Sequence, residues 1–213
     1  MGTAEAVTYR PAPSAGAIPP QTRYRYDLVN GEHRLTGTSQ CRTTASCEGT
    51  SDEVKTSVAY DSNGNVQSAS SGDGTGALTA TTAMTYDPAG NLVAVDGPLP
   101  GTADTSRIRY DSARQVVGTI SPDPDGPGQP LQHRAVRNVF DPTTGLLLRT
   151  EQGHVADLSD TAWNGFVAKQ AVEIEHDSNA RPIENRLTAN GAITPSPRPA
   201  TTRSGGPTAP RSG

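Results

Sequence analysis

The chain has 213 residues, of which 32% are hydrophobic and 4% aromatic, and its 18 basic and 22 acidic residues give a formal net charge of −4. So little apolar material excludes a thick globular core, and mixed charges without long runs of one sign give no reason to expect a nucleic-acid partner. No window is apolar enough for a membrane span, and residues 1–20 lack the pattern of a secretory signal.

Residues 1–22 are interpreted as a lead-in to a repeated pattern. Within them, Val7-Thr8-Tyr9-Arg10 alternates as a strand does and is interpreted as a partial repeat, the remnant of an earlier unit. The repeat array itself is placed at residues 23–190.

The array is defined by an aromatic residue or His followed by Asp. This pair occurs six times, at Tyr26-Asp27, Tyr60-Asp61, Tyr86-Asp87, Tyr110-Asp111, Phe140-Asp141 and His176-Asp177. Successive Asp residues are 34, 26, 24, 30 and 36 residues apart. Self-similarity at such a period indicates an array in which each unit buries its apolar face against its neighbours.

The residues after the pair predict a tight turn. Asp61-Ser62-Asn63-Gly64-Asn65-Val66 and Asp87-Pro88-Ala89-Gly90-Asn91-Leu92 share the order Asp, two turn formers, Gly, Asn, aliphatic residue. Asp favours the first position of a type I turn because its side chain caps nearby amides, and Gly is favoured at the fourth. We expect positive φ at Gly64 and Gly90, and a hairpin with a local bulge.

Alternation at period two predicts a strand on each side of the turn. The strands before the turn include Val58-Ala59-Tyr60, Met84-Thr85-Tyr86, Ile108-Arg109-Tyr110 and Ile174-Glu175-His176, and those after it include Leu92–Val95, Val116–Ile120 and Leu146–Leu148. Because a lone hairpin is marginal in water, the units are expected to pair edge to edge in one long, curved antiparallel sheet. The predicted fold class is all-β.

Four of the six units depart from the pattern. The Tyr110 unit has Arg114 where the turn Gly is expected, and the Tyr26 unit has the altered turn Leu28-Val29-Asn30-Gly31. The units at Phe140 and His176 are degenerate. The connectors Ser70–Gly76 and Ser121–Gly128 are rich in Gly, Ser and Pro and are predicted to be exposed to solvent.

Cys41 and Cys47 leave two interpretations open. They are either incidental thiols in a loop or a disulfide that closes a local excursion. So short a loop contributes about 2 kcal/mol at most, so the bond would pin a loop rather than hold the fold. No metal site is predicted, because His33, His133, His154 and His176 are scattered along the chain and none has ligand spacing from the cysteines.

Three further patterns are weighed as possible chemistry. Asp123-Pro124-Asp125-Gly126 has two carboxylates of a calcium loop but lacks the third acidic position and the distant Glu. Gly72-x-Gly74-x-Gly76 lacks the following helix and Lys of a phosphate cradle. The repeat Asp residues are interpreted as turn caps rather than as catalytic carboxylates. The sequence therefore predicts no catalytic, cofactor-binding or metal-binding residue, no cofactor, and no enzymatic activity.

Trp163 is the single tryptophan of the chain, in Asp160-Thr161-Ala162-Trp163-Asn164-Gly165-Phe166. Packing against a neighbouring hairpin is the favoured interpretation. A platform for sugar rings is the alternative, because exposed aromatic faces bind carbohydrates.

Residues 191–213 form a Pro, Ser, Thr, Arg and Gly-rich tail in which the repeat pattern ends, and disorder is predicted there. Since the pattern breaks off abruptly at both ends, we expect the chain to be a fragment of a longer protein, and a frameshift or an early stop would give the same ending.

The recurring Tyr-Asp-x-x-Gly-Asn-(Leu/Val) motif resembles the RHS or YD repeat family, from about Arg23 to Ala189. The resemblance implies β-hairpins that wind into a hollow shell, which in bacteria often encloses a C-terminal toxin segment. It also implies a self-cleaving aspartyl site in a downstream core region, for which this sequence has no matching motif.

The sequence thus predicts a non-enzymatic structural module, an arc of the β-shell of a secreted or delivered protein. The expected location is outside the cell, either secreted or at the cell surface. Its expected partners are neighbouring RHS repeats or a toxin cargo. A module that binds carbohydrate or protein at the cell surface is the alternative function.

Overall fold

A computed structural model describes residues 4–9, 21–126, 128–189 and 192–194. In this part of the chain fourteen strands form one sheet whose spatial order is the chain order. The strands are β1 (Ala4–Tyr9), β2 (Gln21–Val29), β3 (Glu32–Cys41), β4 (Glu53–Tyr60), β5 (Val66–Asp73), β6 (Thr79–Tyr86), β7 (Leu92–Asp96), β8 (Ser106–Tyr110), β9 (Val116–Ile120), β10 (His133–Phe140), β11 (Leu147–Val155), β12 (Val167–His176), β13 (Pro182–Ala189) and β14 (Ala192–Thr194), with one helix, α1 (Asp160–Asn164), between β11 and β12.

Every neighbouring pair of strands is antiparallel, and β1 and β14 are the outermost strands of the described sheet. The predicted all-β fold of tandem hairpins in one long antiparallel sheet is therefore confirmed. Of the predicted partial repeat Val7-Thr8-Tyr9-Arg10, the first three residues lie in β1, which pairs with β2, and Arg10 lies outside the described residues. Residues 192–194 of the predicted tail form β14, and the rest of the tail lies outside the described residues.

A β-bulge recurs in each of the six hairpins. The register shifts immediately before the repeat aromatic residue or His, at positions 26, 60, 86, 110, 140 and 176. A bulge bends its strand and increases the local twist. The sheet is therefore bent at the same place in every repeat, which gives the curvature that the repeat pattern predicts.

The two faces of the sheet differ in composition. Side chains alternate along a strand, so Tyr60, Tyr86 and Tyr110 share one face with the apolar residues two positions before each of them, and we call this the aromatic face. The opposite, polar face carries hydroxyl rows, such as the register-paired Ser57, Ser70 and Thr81.

The buried core is small and lies on the polar face near the C-terminal half of the sheet. Ile120, Ala135 and Val155 are its buried hydrophobic residues, and the segment 156–166, which we call the strap, packs on them. The strap contains α1, whose N-cap Ser159 accepts a hydrogen bond from the Ala162 N–H through its side chain.

One expectation about a connector needs correction. The predicted connector Ser70–Gly76 begins inside β5, because Ser70 to Gly72 pair with Thr81 to Thr79 of β6. The apolar side chains of the strap supply core material that the strands lack. No helix among the described residues is long and apolar enough to cross a membrane.

Candidate functional site

The turn of each well-matched unit is built around its Asp carboxylate. In the second unit, Asp61 Oδ1 accepts hydrogen bonds from the N–H groups of Asn63 and Asn65 at 2.9 and 2.8 Å, and its Oδ2 accepts from Asn65 Nδ2 at 3.0 Å. The Gly64 N–H donates to the Asp61 carbonyl at 3.0 Å, which closes the turn. The carboxylate thus makes its hydrogen bonds within its own turn.

The same geometry recurs at the other turn carboxylates. Asp87, Asp111 and Asp177 each accept from the N–H groups two and four residues later, and Asp141 accepts from those two and three residues later. The predicted positive φ is confirmed at Gly64 (83°) and Gly90 (84°). The interpretation of these carboxylates as turn caps is therefore confirmed by their hydrogen bonds.

These hydrogen bonds stabilise the ionised carboxylates. The side-chain amide of Asn65 lowers the pKa of Asp61, and that of Asn91 lowers the pKa of Asp87. Backbone N–H donors have the same effect on the pKa of Asp141 and of Asp177. A base that works near neutral pH needs the opposite shift, so these groups are suited to capping rather than to proton transfer.

The degenerate units keep the turn by other means. Arg114 and Ala180 occupy the Gly position with φ of 63°, a left-handed conformation that costs energy in residues with a side chain. The Phe140 unit uses a turn one residue longer, closed by the Gly145 N–H on the Asp141 carbonyl.

The first unit does not follow the pattern at its turn. Asp27 lies inside β2, and the hairpin turns instead at Asn30 and Gly31, both with positive φ. This is the Asn-Gly signal of a two-residue turn.

The Tyr residues join consecutive hairpins, a role that the sequence did not indicate. The hydroxyls of Tyr60, Tyr86 and Tyr110 donate to the backbone carbonyls of Leu35, Val66 and Leu92, at 2.9, 3.0 and 3.1 Å. Each of these carbonyls belongs to the residue that pairs with the aromatic residue of the preceding hairpin, beside its bulge. We call this bond the tyrosine clasp.

The clasp has a substitute in the next hairpin. Phe140 has no hydroxyl, and Asn138 Nδ2 donates instead to the Val116 carbonyl at 2.9 Å, which is the equivalent acceptor. The same backbone position is therefore bonded in four successive hairpin junctions.

Trp163 lies on the polar face, over a strand glycine. A Cβ atom at Gly118 would overlap with the Trp163 ring. The Arg109 guanidinium lies 5.2 Å from the centre of the indole and forms an ion pair with Asp160. The packing interpretation of Trp163 is confirmed.

Phe166 completes the strap. Its ring lies 5.7 Å from that of Trp163, and the Arg137 guanidinium is 4.6 Å from the Phe166 ring centre. Arg137 also bonds to the buried Glu151. Two arginines and two aromatic rings thus fasten the strap across four strands.

Cys41 and Cys47 form a disulfide, with 5.5 Å between their Cα atoms, so the interpretation as incidental thiols is wrong. Asp52 holds the loop that they close. Its carboxylate accepts from the hydroxyls of Thr43 and Thr44, both at 2.8 Å, and from their N–H groups. The Thr43 and Thr44 hydroxyls lower the pKa of Asp52 to about 2.

The cysteines and Asp52 lie close enough to be considered as metal ligands. The sulfur atoms are, however, bonded to each other, and only the thiolate form is a metal ligand. The Asp52 carboxylate is already saturated with donors. We therefore do not assign a metal site to this loop.

A groove of about 460 Å³ lies beside this loop, across β2, β3 and β4. Glu53 is one of the residues that line the groove and is 3% exposed. Burial opposes its ionisation, but hydrogen bonds from the Ser39 hydroxyl and the Gly49 N–H, with the charges of Lys55 and Arg23, hold the pKa of Glu53 below its ordinary value.

The remaining sequence candidates do not converge on a common site. Asp123 and Asp125 lie in the connector after β9, where Asp125 Oδ2 accepts from the Leu131 N–H at 3.2 Å. Gly72 lies in β5, and a Cβ there would overlap with the Leu78 carbonyl. His133 is buried and contacts the Ser121 carbonyl at 2.9 Å.

No protein-family model and no curated protein matches the sequence. Among solved structures, the crystal structure of TcdB2-TccC3 is similar to this chain, with a TM-score of 0.43 and 15% sequence identity. The similarity covers 80% of this chain and 9% of that one, so this chain spans less than a tenth of that protein. A similarity at this level carries no argument about function.

Proposed function

We propose that this chain is a non-enzymatic structural module, part of the wall of a β-shell in a secreted or delivered RHS-type protein that encloses a toxin segment. The observation that carries the proposal is the tyrosine clasp. It bonds the second, third and fourth hairpins to the preceding one through the residue type that defines the repeat. The defining Tyr and Asp residues are thus used to extend the sheet.

The distribution of side chains supports a wall with two different sides. The aromatic face carries the repeat tyrosines and the apolar residues two positions before them, whereas the polar face carries hydroxyl and charged groups and the strap. Exposure of aromatic and aliphatic side chains to water is unfavourable. We therefore place the aromatic face on the inside of the shell and the polar face on the outside.

The partners of the wall follow from the same arrangement. The described sheet ends at β1 and β14, whose outer backbone groups can pair with further hairpins of an RHS array. The toxin cargo would face the aromatic side.

Labelling of single cysteines tests the proposal in the protein as its own cell makes it. Thr82→Cys places a thiol on the aromatic face and Thr81→Cys places one on the polar face, at adjacent positions of β6. We expect a maleimide to label the Thr81→Cys thiol rapidly and the Thr82→Cys thiol only after denaturation. Equal labelling of both in the folded protein would contradict a shell wall.

Two controls complete this experiment. In this chain purified alone, both thiols should react, since both faces are then open to solvent. An activity screen addresses the non-enzymatic part of the proposal, and a turnover that is abolished by Asp61→Asn would overturn it.

A further inference from the structure

Three Asn-Gly pairs among the described residues lie in three different surroundings. Asn30-Gly31 forms the turn of the first hairpin, Asn63-Gly64 lies in the second turn, and Asn164-Gly165 lies at the end of α1. Asn190-Gly191 lies outside the described residues. Asparagine before glycine is prone to deamidation, because glycine has no side chain to hinder the attack of its backbone nitrogen on the asparagine side chain. The surroundings of each pair therefore decide how fast it reacts.

Two of the three pairs are protected by a hydrogen bond from the attacking nitrogen. The Gly64 N–H donates to the Asp61 carbonyl at 3.0 Å, and Gly64 is buried. The Gly165 N–H donates to the Ala162 carbonyl at 3.0 Å, at the end of α1. Each of these nitrogens has to break its hydrogen bond before it can attack.

The pair in the first turn lacks this protection. Asn30 and Gly31 are both exposed, and the turn is closed by the residues that flank them, Val29 and Glu32, which pair in register. The Gly31 N–H donates to no acceptor among the described residues. A Cβ at Gly31 would meet no atom within 4 Å, so the space around this amide is open to water.

The Asn30 side chain fastens the first turn to the second. Its Nδ2 donates to the Ser62 carbonyl at 2.7 Å. The other bond between these two turns runs from Arg34 Nη1 to the Gly64 carbonyl, at 2.6 Å. A carboxylate at position 30 has no hydrogen to donate, so it would lose the bond to Ser62.

We propose that Asn30 is a site of spontaneous deamidation, and that its modification releases the first turn from the second. The Gly31 nitrogen bonds to Asn30 Cγ, the bond from Cγ to Nδ2 breaks, and ammonia leaves with the proton of the Gly31 amide. Water then opens the cyclic imide at either carbonyl and leaves aspartate or isoaspartate. Water enters and ammonia leaves, so no oxidant or reductant is needed. This inference does not depend on the proposed shell function.

Ageing of the full chain in mildly alkaline, heavy-oxygen water tests the site, with peptide mapping by mass spectrometry. The label marks each deamidated residue. We expect Asn30 to acquire it about fivefold faster than Asn63 and Asn164, which corresponds to the loss of one hydrogen bond at about 1 kcal/mol. In denaturant the three rates should converge, because the protecting bonds are gone. Equal rates in the folded chain, or a slower rate at Asn30, would overturn the inference.

A variant that carries the product tests the consequence. Asn30→Asp should accelerate hydrogen exchange in the second turn, because the Ser62 carbonyl loses its donor. Asn63→Asp is the matched control, since it adds the same charge and the Asn63 side-chain amide makes no hydrogen bond to a described group. Unchanged exchange in the Asn30→Asp chain, or equal acceleration in both variants, would contradict the release of the turn.

Discussion

At the scale of single residues, the repeat is defined by two polar groups, the Asp carboxylate and the Tyr hydroxyl, and each has fixed hydrogen-bond partners in the backbone. The Asp carboxylate caps the turn of its own hairpin, and the Tyr hydroxyl bonds to the hairpin before it. Each of these groups is held by hydrogen bonds within the sheet. The two residues are therefore specified by different bonds and can be tested separately.

The turn carboxylates make the free energy of unfolding depend on pH. Because hydrogen bonds lower the folded-state pKa of Asp61 and Asp87 below the ordinary value of 3.8, their contribution to stability is present above that value and is lost as the pH falls below it. We expect the unfolding temperature to fall as the pH falls through this range. The Asp61→Asn chain should lose less stability on acidification than the unmodified chain. A melting series from pH 6 to pH 2 measures it, with Ser62→Ala as the control. An equal pH dependence in the Asp61→Asn chain would contradict the account.

The tyrosine clasp has a measurable free energy. Tyr86→Phe removes the hydroxyl and leaves the Val66 carbonyl without this donor, so we expect a loss of about 1 kcal/mol in the free energy of unfolding. Urea denaturation measures the loss. Tyr24→Phe is the control, since no described group receives a hydrogen bond from the Tyr24 hydroxyl. Equal effects of the two substitutions would show that the clasp adds nothing.

The left-handed positions without glycine predict a stabilising substitution. Arg114 has φ of 63° at the position that Gly64 and Gly90 occupy in the well-matched units. Arg114→Gly removes the unfavourable contact of its Cβ and should raise the free energy of unfolding by about 1 kcal/mol. The control Ser112→Gly, at an ordinary turn position, should lower it. A destabilised Arg114→Gly chain would refute the strain argument.

At the scale of elements, the hairpins are joined along the sheet, and the strap joins them across it. It gives the strands β8 to β11 a core of Ile120, Ala135 and Val155 that the earlier strands lack. A sheet with so little buried apolar area depends on such local cover. The strap should therefore stabilise its own part of the array and leave the first hairpins unaffected.

Removal of the Trp163 indole tests whether the strap stabilises only its own part of the array. Trp163→Ala opens the space over Gly118 and should cost about 2 kcal/mol, less than for a fully buried ring because Trp163 is half-buried. We expect hydrogen exchange to accelerate in β8 to β11 while β4 to β6 keep their protection. Leu99→Ala is the control, because Leu99 is 55% exposed in a connector. Uniform acceleration in all strands would contradict a local role for the strap.

Sequence patterns predicted the elements better than the contacts between them. The turns at Gly64 and Gly90 were predictable because their signals lie within six residues. The clasp and the seat of Trp163 on Gly118 were not, because they join residues 18 to 45 positions apart that only the strand register brings together. The disulfide has a different reason, because its cysteines are only six residues apart and their spacing alone does not fix the path of the loop.

At the scale of the whole molecule, the hairpins of the described residues form one continuous sheet rather than separate units. Bulges at six equivalent positions bend it, and clasps join its hairpins. The clasps extend the sheet and the strap covers it, and these two features are the basis for proposing a wall. The continuous sheet therefore depends on the pairing register between neighbouring hairpins.

An engineered crosslink between two hairpins tests this register most directly. The Oγ atoms of Ser70 and Thr81 are 2.9 Å apart on neighbouring strands of different hairpins. We predict that the double variant Ser70→Cys, Thr81→Cys oxidises to a disulfide in the folded chain, as detected by mass spectrometry of the digested protein. The shifted pair Ser70→Cys, Thr82→Cys, with its thiols on opposite faces, should remain reduced. A crosslink in the shifted pair, or in neither pair, would contradict the continuous sheet.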